Sequence, residues 1–481
     1  MQWSVEKVIR ELFTNWYGSA PQHMVQLPPS GSNRQYFRLS ANDVSVIAAF
    51  NPDKRENLAF LKLTRYFKSL QLPVPEVLAE ETDKHCYLLT DLGDTTLFSL
   101  LSRHRTPEGF DTHIMALYKK AIELLPVFQV DAARIIDFNI CYPRHAFDRH
   151  SMMWDLNYFK YYFLKISGVY FDEQLLEDDF ERFTENLLRI PGAYFMYRDF
   201  QSRNIMVTEG EVYFIDYQGG RKGPLGYDMA SLLFDAKANI PFGQRDEMLT
   251  YYMDCIEKKV SLDRQAFKRS FYDLVLMRIL QALGTYGFRG GVEKKSLFLQ
   301  SVPYALRNLR WLIEQELILS DTPHLASILR NLADTAPDEV LPTQQPGLTV
   351  SICSFSYKQG IPSDNAGNGG GFVFDCRSLP NPGRQEAYSN LTGQDTGVIS
   401  YLQDKQQVNR FLENALNMVT PAIENYLERG FNNLVVCFGC TGGQHRSVYC
   451  AEHLGRILKH RYPINIQLRH FAENNWPEKP T

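Results

Sequence analysis

Three polar side chains in one stretch of the chain could carry out phosphoryl transfer. Asn204 lies five residues after Asp199, and Asp216 follows a short apolar run a little further along. Transfer of a phosphoryl group from ATP needs a carboxylate that orients the attacking hydroxyl and oxygen ligands for the Mg²⁺ that bridges the phosphates. Two protein ligands suffice for Mg²⁺, because phosphates and water supply the rest. The pattern predicts Asp199 as the catalytic base and Asn204 and Asp216 as metal ligands.

Local sequence signals place these residues around a small hairpin. Residues 206–207 and 211–215 are apolar runs joined by Thr208-Glu209-Gly210, which predicts two paired strands that deliver Asp216 at the end of the second. An Asp and an Asn at this spacing also occur by chance, and aspartates often cap turns. The order of the residues and the strand context favour the phosphotransferase interpretation over that coincidence.

The composition is that of a globular protein. Of 481 residues, 44% are hydrophobic and 22% are charged, which is enough apolar material for several cores. The net charge of −4 argues against a broad basic surface for nucleic acid. The chain opens on an amphipathic helix rather than a signal peptide, and no apolar run approaches ~20 residues. We therefore expect a cytoplasmic protein without a membrane span.

The pattern along the chain predicts four segments. Residues 1–90 read as a small lobe of strands and one helix, and residues 91–333 are largely helical around the catalytic hairpin. Residues 334–347 contain three prolines and no periodicity, which is typical of a linker. Residues 348–481 alternate strands and helices and predict a separate α/β domain.

Motifs in the first two segments resemble those of a known family. They are Ser32 to Arg38, Leu88 to Asp94, Tyr197 to Val207, Phe214 to Gln218 and Gly223 to Leu233. Together they resemble the aminoglycoside phosphotransferase-like kinases, most closely the anomeric N-acetylmuramate/N-acetylglucosamine kinases. The resemblance implies an α+β two-lobed protein-kinase-like fold with ATP and Mg²⁺ in the cleft. It also implies phosphorylation of an amino sugar at the anomeric hydroxyl, in the recycling of cell-wall sugars.

The same resemblance implies a nucleotide site in the first lobe. A turn at Gly31-Ser32 would cover the phosphates, and the segment from Thr90 to Leu92 would form the hinge beside adenine. The residues implied for nucleotide binding are Gly31, Ser32, Asn33, Arg38, Glu56, Thr90, Asp91 and Leu92.

One departure from the family pattern concerns the phosphate contacts. The strand predicted over residues 44–50 contains no lysine for the α- and β-phosphates, and Arg38 or Lys54 could substitute for it. A degenerate phosphate clamp is also what a pseudokinase would show. A regulatory protein that senses nucleotide and metabolite without turnover is therefore the alternative, although the intact set of Asp199, Asn204 and Asp216 favours an enzyme. Asp228 is predicted to be a structural hydrogen-bond anchor.

A glycine-rich loop in the last segment predicts an anion site. Residues 439–447 leave an apolar strand and enter a helix. Glycines let backbone amides converge, the helix N-terminus favours negative charge, and Arg446 supplies a bidentate fork. Cys440 and Arg446, with five residues between them, also have the spacing of cysteine-dependent phosphatases, in which a thiolate attacks phosphorus. Catalysis at Cys440 and simple binding of a phosphorylated ligand both fit this pattern.

Four motifs of this segment resemble the C-terminal domain of the RapZ family. They are Ser354 to Pro362, Phe374 to Pro382, Leu391 to Asp395 and Gly439 to Val448. The resemblance implies a module that senses an amino-sugar phosphate, glucosamine-6-phosphate, and in some members binds small RNAs. The residues implied for the ligand phosphate are Thr441, Gly442, Gly443, His445, Arg446 and Ser447, with Asp375 and Arg377 nearby.

Two departures bear on this second resemblance. Gly383 stands where the family often has a histidine, and the tail after residue 470 lacks the lysine cluster that an RNA contact would need. Ligand sensing is therefore favoured over RNA binding. The combined expectation is an ATP-dependent amino-sugar kinase joined to a module that binds an amino-sugar phosphate, with its oligomeric state left open.

Overall fold

We describe the protein from a computed structural model. The structure describes residues 5–27, 34–106, 109–293, 296–318, 321–335, 348–362, 371–428, 431, 433–462 and 464–477. The chain divides into two units: unit 1 comprises Met1–Glu293 and Phe298–Val340, and unit 2 comprises Lys294–Leu297 and Leu341–Thr481. Most of the predicted linker, residues 336–347, lies outside the described residues.

A five-stranded antiparallel sheet forms the first lobe of unit 1. Its strands are β1 (His23–Gln26), β2 (Gln35–Ala41), β3 (Val44–Phe50), β4 (Val77–Glu81) and β5 (Cys86–Thr90), in the order β1-β2-β3-β5-β4. One face of the sheet packs on α1 (Val5–Tyr17), and the other packs on α2 (Lys54–Ser69). Because side chains alternate along a strand, two covered faces require both sets of residues to be apolar. The strands and the helix predicted for this lobe are confirmed.

The second lobe of unit 1 is mainly helical. Its α-helices are α3 (Leu97–Arg103), α4 (Thr112–Pro126), α5 (Arg149–Phe159), α6 (Lys165–Ser167), α7 (Glu173–Leu188), α8 (Gly226–Leu233), α9 (Phe242–Ile256), α10 (Arg264–Tyr286), α11 (Val302–Glu314) and α12 (Pro323–Asp334). Turns of π-helix at Val127–Asp131, Lys160–Leu164 and Gly287–Val292 continue α4, α5 and α10. One large apolar cluster, from Ala49 to Ala333, is common to both lobes.

Short antiparallel strand pairs complete this lobe. They are β6 (Arg105–Thr106) with β7 (Gly109–Phe110), β8 (Tyr194–Met196) with β11 (Arg221–Gly223), and β9 (Ile205–Thr208) with β10 (Glu211–Phe214). The β9–β10 hairpin is the predicted one. Its two turn residues, Glu209 and Gly210, both have positive φ, as the tight turns that suit strand twist require.

Unit 2 is built on a parallel sheet. Its strands are β12 (Thr349–Ser356), β13 (Gly371–Asp375), β14 (Asn433–Cys440) and β15 (Asn465–His470), in the order β13-β14-β12-β15. Its helices are α13 (Thr396–Gln403), α14 (Gln406–Glu428) and α15 (Arg446–Arg461). The alternation of strands and helices predicted for residues 348–481 is confirmed. The carboxyl ends of β12 and β14 lie side by side, which is where parallel α/β sheets bind ligands.

The predicted fold class is confirmed: a two-lobed, protein-kinase-like α+β unit is followed by a separate α/β domain. Within the described part of the chain, no helix is both long and apolar enough to cross a membrane.

Candidate functional site

A buried carboxylate in α8 holds in place the loop over residues 197–204, the candidate catalytic loop, which connects β8 to β9. Asp228 accepts hydrogen bonds from the backbone N–H groups of Tyr197 at 3.0 Å and Arg198 at 2.8 Å, and from the side-chain amide of Gln129 at 2.9 Å. Burial raises the pKa of Asp228 to about 7, against the effect of these hydrogen bonds. Arg198 has a φ of +77°, a backbone conformation that is energetically unfavourable for residues other than glycine. The anchoring role predicted for Asp228 is confirmed.

The loop brings Asp199, Asn204 and Asp216 together. The side-chain amide of Asn204 donates to the backbone carbonyl of Asp199 at 2.8 Å, and its Nδ2 atom lies 3.5 Å from Oδ2 of Asp216. The backbone carbonyl of Asn204 accepts the N–H of Ile215 at 3.0 Å, which ties the loop to the end of β10. The local sequence therefore sets the separation of the three residues along the chain, and the β9–β10 hairpin brings Asp216 next to Asn204. Their chemical roles stay predictions.

The electrostatics around Asp216 suit a cation. Burial and the nearby charge of Asp199 raise the pKa of Asp216, and the amide of Gln218, which donates at 2.6 Å, works in the opposite direction. Two carboxylates that approach each other in a partly buried cleft are stabilised by a positive ion. No group of three or more His, Cys, Asp or Glu residues in the described ranges could hold a metal alone. A cation here would take further ligands from phosphate and water, as Mg²⁺ does.

Asp199 itself is open to the cleft, with 39% of its side chain exposed, and a buried arginine stands beside it. Nη2 of Arg278, in α10, lies 3.9 Å from Oδ1 of Asp199. Arg278 is oriented by Ser231, whose hydroxyl accepts its Nε–H at 2.9 Å and donates to the carbonyl of Arg198 at 2.9 Å. Sequence reasoning did not nominate Arg278, because nothing local to α10 distinguishes it from an ordinary helix arginine.

A second polar group from α5 borders the same place. Oδ1 of Asp155 accepts from Arg198 at 3.3 Å, while Oδ2 is buried without a hydrogen-bond partner among the described residues. Burial raises the pKa of Asp155 despite the positive charges of Arg198, Arg221 and Arg278. Burial also lowers the pKa of Arg221 to about 10. The surroundings of Asp199 thus include three arginines and the carboxylate of Asp155, which sequence reasoning missed.

The predicted hinge residues connect the two lobes. Asp91 follows β5 and accepts the hydroxyl of Ser45 at 2.6 Å and the N–H of Gly93 at 3.0 Å. The carbonyl of Leu92 accepts the hydroxyl of Thr208 in β9 at 2.8 Å. Thr90 exchanges hydrogen bonds with the backbone of Glu76 at 3.0 and 3.1 Å. The segment is therefore fixed at both ends, and its contact with adenine stays a prediction.

The structure distributes the other predicted nucleotide residues differently. Arg38 donates four hydrogen bonds of 2.7–3.0 Å to the carboxylates of Asp91 and Asp94, so its guanidinium is already paired at the hinge. This pairing does not favour the phosphate contact predicted for Arg38. Glu56 lies in the first turn of α2 and forms an ion pair of 2.9 Å with Arg34, a residue that sequence reasoning did not nominate. Gly31, Ser32 and Asn33 lie outside the described residues.

The glycine loop of unit 2 runs from the end of β14 into α15. The carbonyl of Thr441 accepts the hydroxyl of Ser356 at 2.8 Å, and the carbonyl of Gly443 accepts the indole N–H of Trp476 at 3.2 Å. Gly443 has a φ of +67°, and a Cβ there would lie 2.5 Å from Cβ of Ala472. Gly442 is exposed, with nothing within 4 Å of its Cβ position. The loop is braced at Gly443 and open at Gly442.

Cys440 lies beneath this loop. Its sulfur accepts the N–H of Gly443 at 3.2 Å and lies 3.2 Å from the hydroxyl of Ser447, with 3% of the residue exposed. Burial raises the pKa of the thiol, but the hydrogen bonds from Ser447 and Gly443 and the charge of Arg446 outweigh it, so the pKa is lowered.

The charged and aromatic residues of the predicted anion site are mostly engaged. Arg446 donates through Nη1 to the carbonyls of Arg377 at 2.9 Å and Leu379 at 3.1 Å, while its buried Nε has no hydrogen-bond partner in the described ranges. His445 contacts the carbonyl of Tyr388 at 2.9 Å through Nε2, and burial lowers its pKa. A Cβ at Gly383 would lie 3.0 Å from Cε1 of His445, so this glycine leaves the imidazole its space.

Asp375 and Arg377 pair with each other at the end of β13. Nη2 of Arg377 lies 2.7 Å from Oδ2 of Asp375, and the guanidinium lies over the ring of Tyr357 at 4.0 Å. Because about half of each side chain is exposed, a ligand could reach both charges. The structure therefore brings Asp375, Arg377 and Arg446 together beside the glycine loop. Asp375 and Arg377 contact each other through their side chains, and Arg446 contacts this segment through backbone carbonyls.

Comparison with known families agrees with this architecture. Residues 23–257 match the phosphotransferase enzyme family known as APH, and residues 348–472 match the RapZ C-terminal domain. The chain therefore contains a region similar to a phosphotransferase family, followed by a region similar to the RapZ C-terminal domain. The particular sugar-kinase type lies beyond this match.

Curated relatives match a smaller part of the chain. A nucleotide-binding protein of Bacillus cytotoxicus is 36% identical over 161 residues, which are 32% of this chain and 53% of the relative. A nucleotide-binding protein of Bacillus thuringiensis shows the same identity and the same coverage. The chain thus spans about half the length of these relatives.

Solved structures similar to the chain include small-molecule kinases. A choline kinase from Streptococcus pneumoniae matches with a TM-score of 0.41 and 15% identity, over 68% of this chain and 99% of that one. A choline kinase from Cryptosporidium parvum matches with a TM-score of 0.45 and 13% identity, over 68% and 100%. A thermostable mutant of an aminoglycoside phosphotransferase matches with a TM-score of 0.41 and 15% identity, over 68% and 100%.

Proposed function

We propose that unit 1 is an ATP- and Mg²⁺-dependent kinase that phosphorylates an amino sugar, N-acetylmuramate or N-acetylglucosamine, at its anomeric hydroxyl. Its lobes would be residues 1–90 and 91–333, followed by a linker over 334–347 and a sensing domain over 348–481. The observation that carries the proposal is the hydrogen bond of 2.8 Å from Asn204 to the carbonyl of Asp199, beside the Asp216 carboxylate.

In this proposal Asp199 acts on the acceptor. The hydroxyl oxygen of the sugar bonds to the γ-phosphorus of ATP, the bond from that phosphorus to the bridging oxygen of ADP breaks, and the hydroxyl proton passes to the Asp199 carboxylate. Asn204 and Asp216 would hold Mg²⁺, which neutralises charge on the phosphates. The anchored backbone at Arg198 supports this role, because it presets the position of the base before substrate binds.

The acceptor would lie against the arginines and the unsatisfied carboxylate beside Asp199. Sugars present several hydroxyls, and the buried Oδ2 of Asp155 is an acceptor without a donor among the described residues. Arg278, 3.9 Å from Asp199, would stabilise negative charge near the transferred phosphoryl group. Both features support a small polar acceptor over an apolar one.

Release of ADP from ATP and Mg²⁺ with a panel of amino sugars tests the proposal, with phosphorus NMR of the product. A sugar-1-phosphate from either N-acetylated sugar is the expected result. Asp199→Asn should abolish turnover and leave nucleotide binding largely intact, and retained turnover would contradict the assignment of the base. Tight nucleotide binding without turnover of any sugar would favour the alternative, a regulatory protein that only holds nucleotide.

For unit 2 we propose binding of an amino-sugar phosphate by the loop over residues 441–447, with Asp375 and Arg377 beside it. The braced backbone of the loop at the N-terminus of α15 supports binding of an anion. Calorimetry with glucosamine-6-phosphate, glucosamine and inorganic phosphate tests this, and binding of the phosphosugar alone is expected.

A further inference from the structure

A buried ion pair joins the sheet of the first lobe to α2. Arg34 lies just before β2 with 3% of its surface exposed, and its Nη2 atom lies 2.9 Å from Oε1 of Glu56. Its Nη1 donates to the hydroxyl of Tyr36 at 3.1 Å. Glu56 is held in turn by the amide of Asn51 at 2.6 Å. The cap of α2 fixes its position too, because Asp53 accepts the N–H of Glu56 at 3.3 Å.

This ion pair between the sheet and a helix resembles the ion pair with which protein kinases position the phosphates of their nucleotide. There a cation on the sheet contacts the phosphates, and a glutamate on the adjoining helix forms an ion pair with it. In this chain β3 carries no lysine, but the N-terminal end of β2 pairs with the C-terminal end of β3, where Gln35 is opposite Phe50. Arg34 therefore projects from the neighbouring strand at the end of the sheet where α2 begins.

Aromatic rings connect Arg34 to the segment that follows β10. Its guanidinium lies 5.9 Å from the centre of the Phe60 ring, and that ring stacks on Tyr217 with centroids 5.1 Å apart. Tyr217 directly follows Asp216. Through these two rings Arg34 is connected to the segment that carries a proposed metal ligand.

The two cations that the sequence suggested are less well placed. Arg38 is paired with two carboxylates at the hinge, so a phosphate would have to displace both. Lys54 is the exposed first residue of α2. Arg34 keeps its charge in the cleft, because Tyr36, Tyr87 and Glu56 outweigh the effect of burial and raise its pKa.

We propose that Arg34 replaces the strand lysine: its guanidinium binds the phosphates of ATP, and Glu56 is the positioning residue that holds it toward them. This proposal rests on the proposed kinase function. A guanidinium is suited to the task, since its planar fork can bind a phosphate while it keeps one contact to a carboxylate.

The test uses the full chain and compares Arg34→Gln, Arg34→Lys and Glu56→Gln with wild type. We expect Arg34→Gln to lower kcat/KM for ATP about 10- to 100-fold, the range of one charged hydrogen bond. Arg34→Lys should recover part of the loss, because it restores the charge without the fork. Glu56→Gln should mainly raise KM for ATP. Arg65→Gln is the matched control, because Arg65 lies in α2, as Glu56 does, and forms an exposed ion pair with Glu80.

Binding of ATP and of adenosine to the same variants separates a phosphate contact from a structural role. If Arg34 binds phosphate, Arg34→Gln weakens ATP and leaves adenosine unchanged. Equal weakening of both ligands, or unchanged affinity for ATP in a folded variant, would overturn the proposal. Absence of turnover in wild type would instead refute the kinase function, and the comparison of ATP with adenosine would still decide the role of Arg34.

Discussion

The side-chain amide of Asn204 donates a hydrogen bond to the backbone carbonyl of Asp199 at 2.8 Å. The same side chain lies 3.5 Å from Asp216, so one residue contacts both the loop that carries the proposed base and the carboxylate proposed to hold the metal. A single substitution at this position should therefore impair positioning and metal binding together.

We expect Asn204→Ala to lower kcat about 100-fold, because a misplaced base and a lost metal ligand each weaken the transition state. The Mg²⁺ concentration for half-maximal activity should also rise. Titration of Mg²⁺ at saturating ATP measures both. Asn186→Ala is a control in the same lobe, because the side-chain amide of Asn186 donates to the exposed Asp321. An unchanged Mg²⁺ requirement in Asn204→Ala would argue against Asn204 as a ligand.

A prediction on pH follows from Asp228. Its pKa of about 7 in the folded protein lies above the ordinary value of 3.8. The folded state therefore retains a proton that the unfolded chain has lost, and the resulting stability is present below pH ~4 and is lost as the pH rises through ~7. Asparagine does not titrate. The difference in Tm between wild type and Asp228→Asn should be largest at pH ~4 or below, fall as the pH rises to ~7, and be lost by pH ~8.

Thermal melts across this pH range check the sign. The exposed Asp83 provides a control, because Asp83→Asn should not reproduce the trend. A difference in Tm that grows with pH would show that the carboxylate of Asp228, rather than its neutral form, is preferred in the folded protein.

The two glycines of the unit 2 loop make a matched pair. Gly443 has a positive φ and no room for a Cβ, since one would lie 2.5 Å from Cβ of Ala472 and 3.0 Å from the backbone nitrogen of Ser356. Gly443→Ala should therefore shift the loop and weaken glucosamine-6-phosphate binding about 10-fold or more. Gly442→Ala meets open space and should bind as wild type does. Equal affinity of the two variants would place the ligand elsewhere.

Substitution of Cys440 distinguishes a ligand-binding site from a phosphatase active site. Its lowered pKa favours a reactive thiolate, but the thiol is buried, and its sulfur is already hydrogen bonded to Gly443 and close to Ser447. We expect no phosphosugar hydrolysis by wild type, and we expect Cys440→Ser to keep its ligand affinity because serine preserves these contacts. Release of phosphate by wild type that is lost in Cys440→Ser would establish the phosphatase instead.

Much of the catalytic region was predictable because its signals are local. The hairpin over residues 205–214 follows from apolar alternation and a two-residue turn, and it sets the distance from Asn204 to Asp216 within one supersecondary unit. The glycine loop before Arg446 is likewise a strand-to-helix connection that its own residues define. Such elements depend on periodicity and backbone freedom, which a sequence displays directly.

Other features could not be inferred, because they depend on residues that are distant in sequence. The anchoring role of Asp228 was predicted, but its partner at Arg198, thirty residues earlier, was not. Arg446 likewise contacts carbonyls nearly seventy residues earlier, at Arg377 and Leu379.

By itself, then, the sequence determined which groups could do chemistry, Asp199 with Asn204 and Asp216, and which loop could receive an anion. The tertiary structure decided how the candidate cations of the first lobe are paired, since Arg38 contacts Asp91 at the hinge and Arg34 contacts Glu56. The physical reason is that the sequence around a charged residue does not specify which residue it will pair with. Its partner is selected by burial and by the packing of α2 on the sheet, where a guanidinium must meet a carboxylate or remain uncompensated.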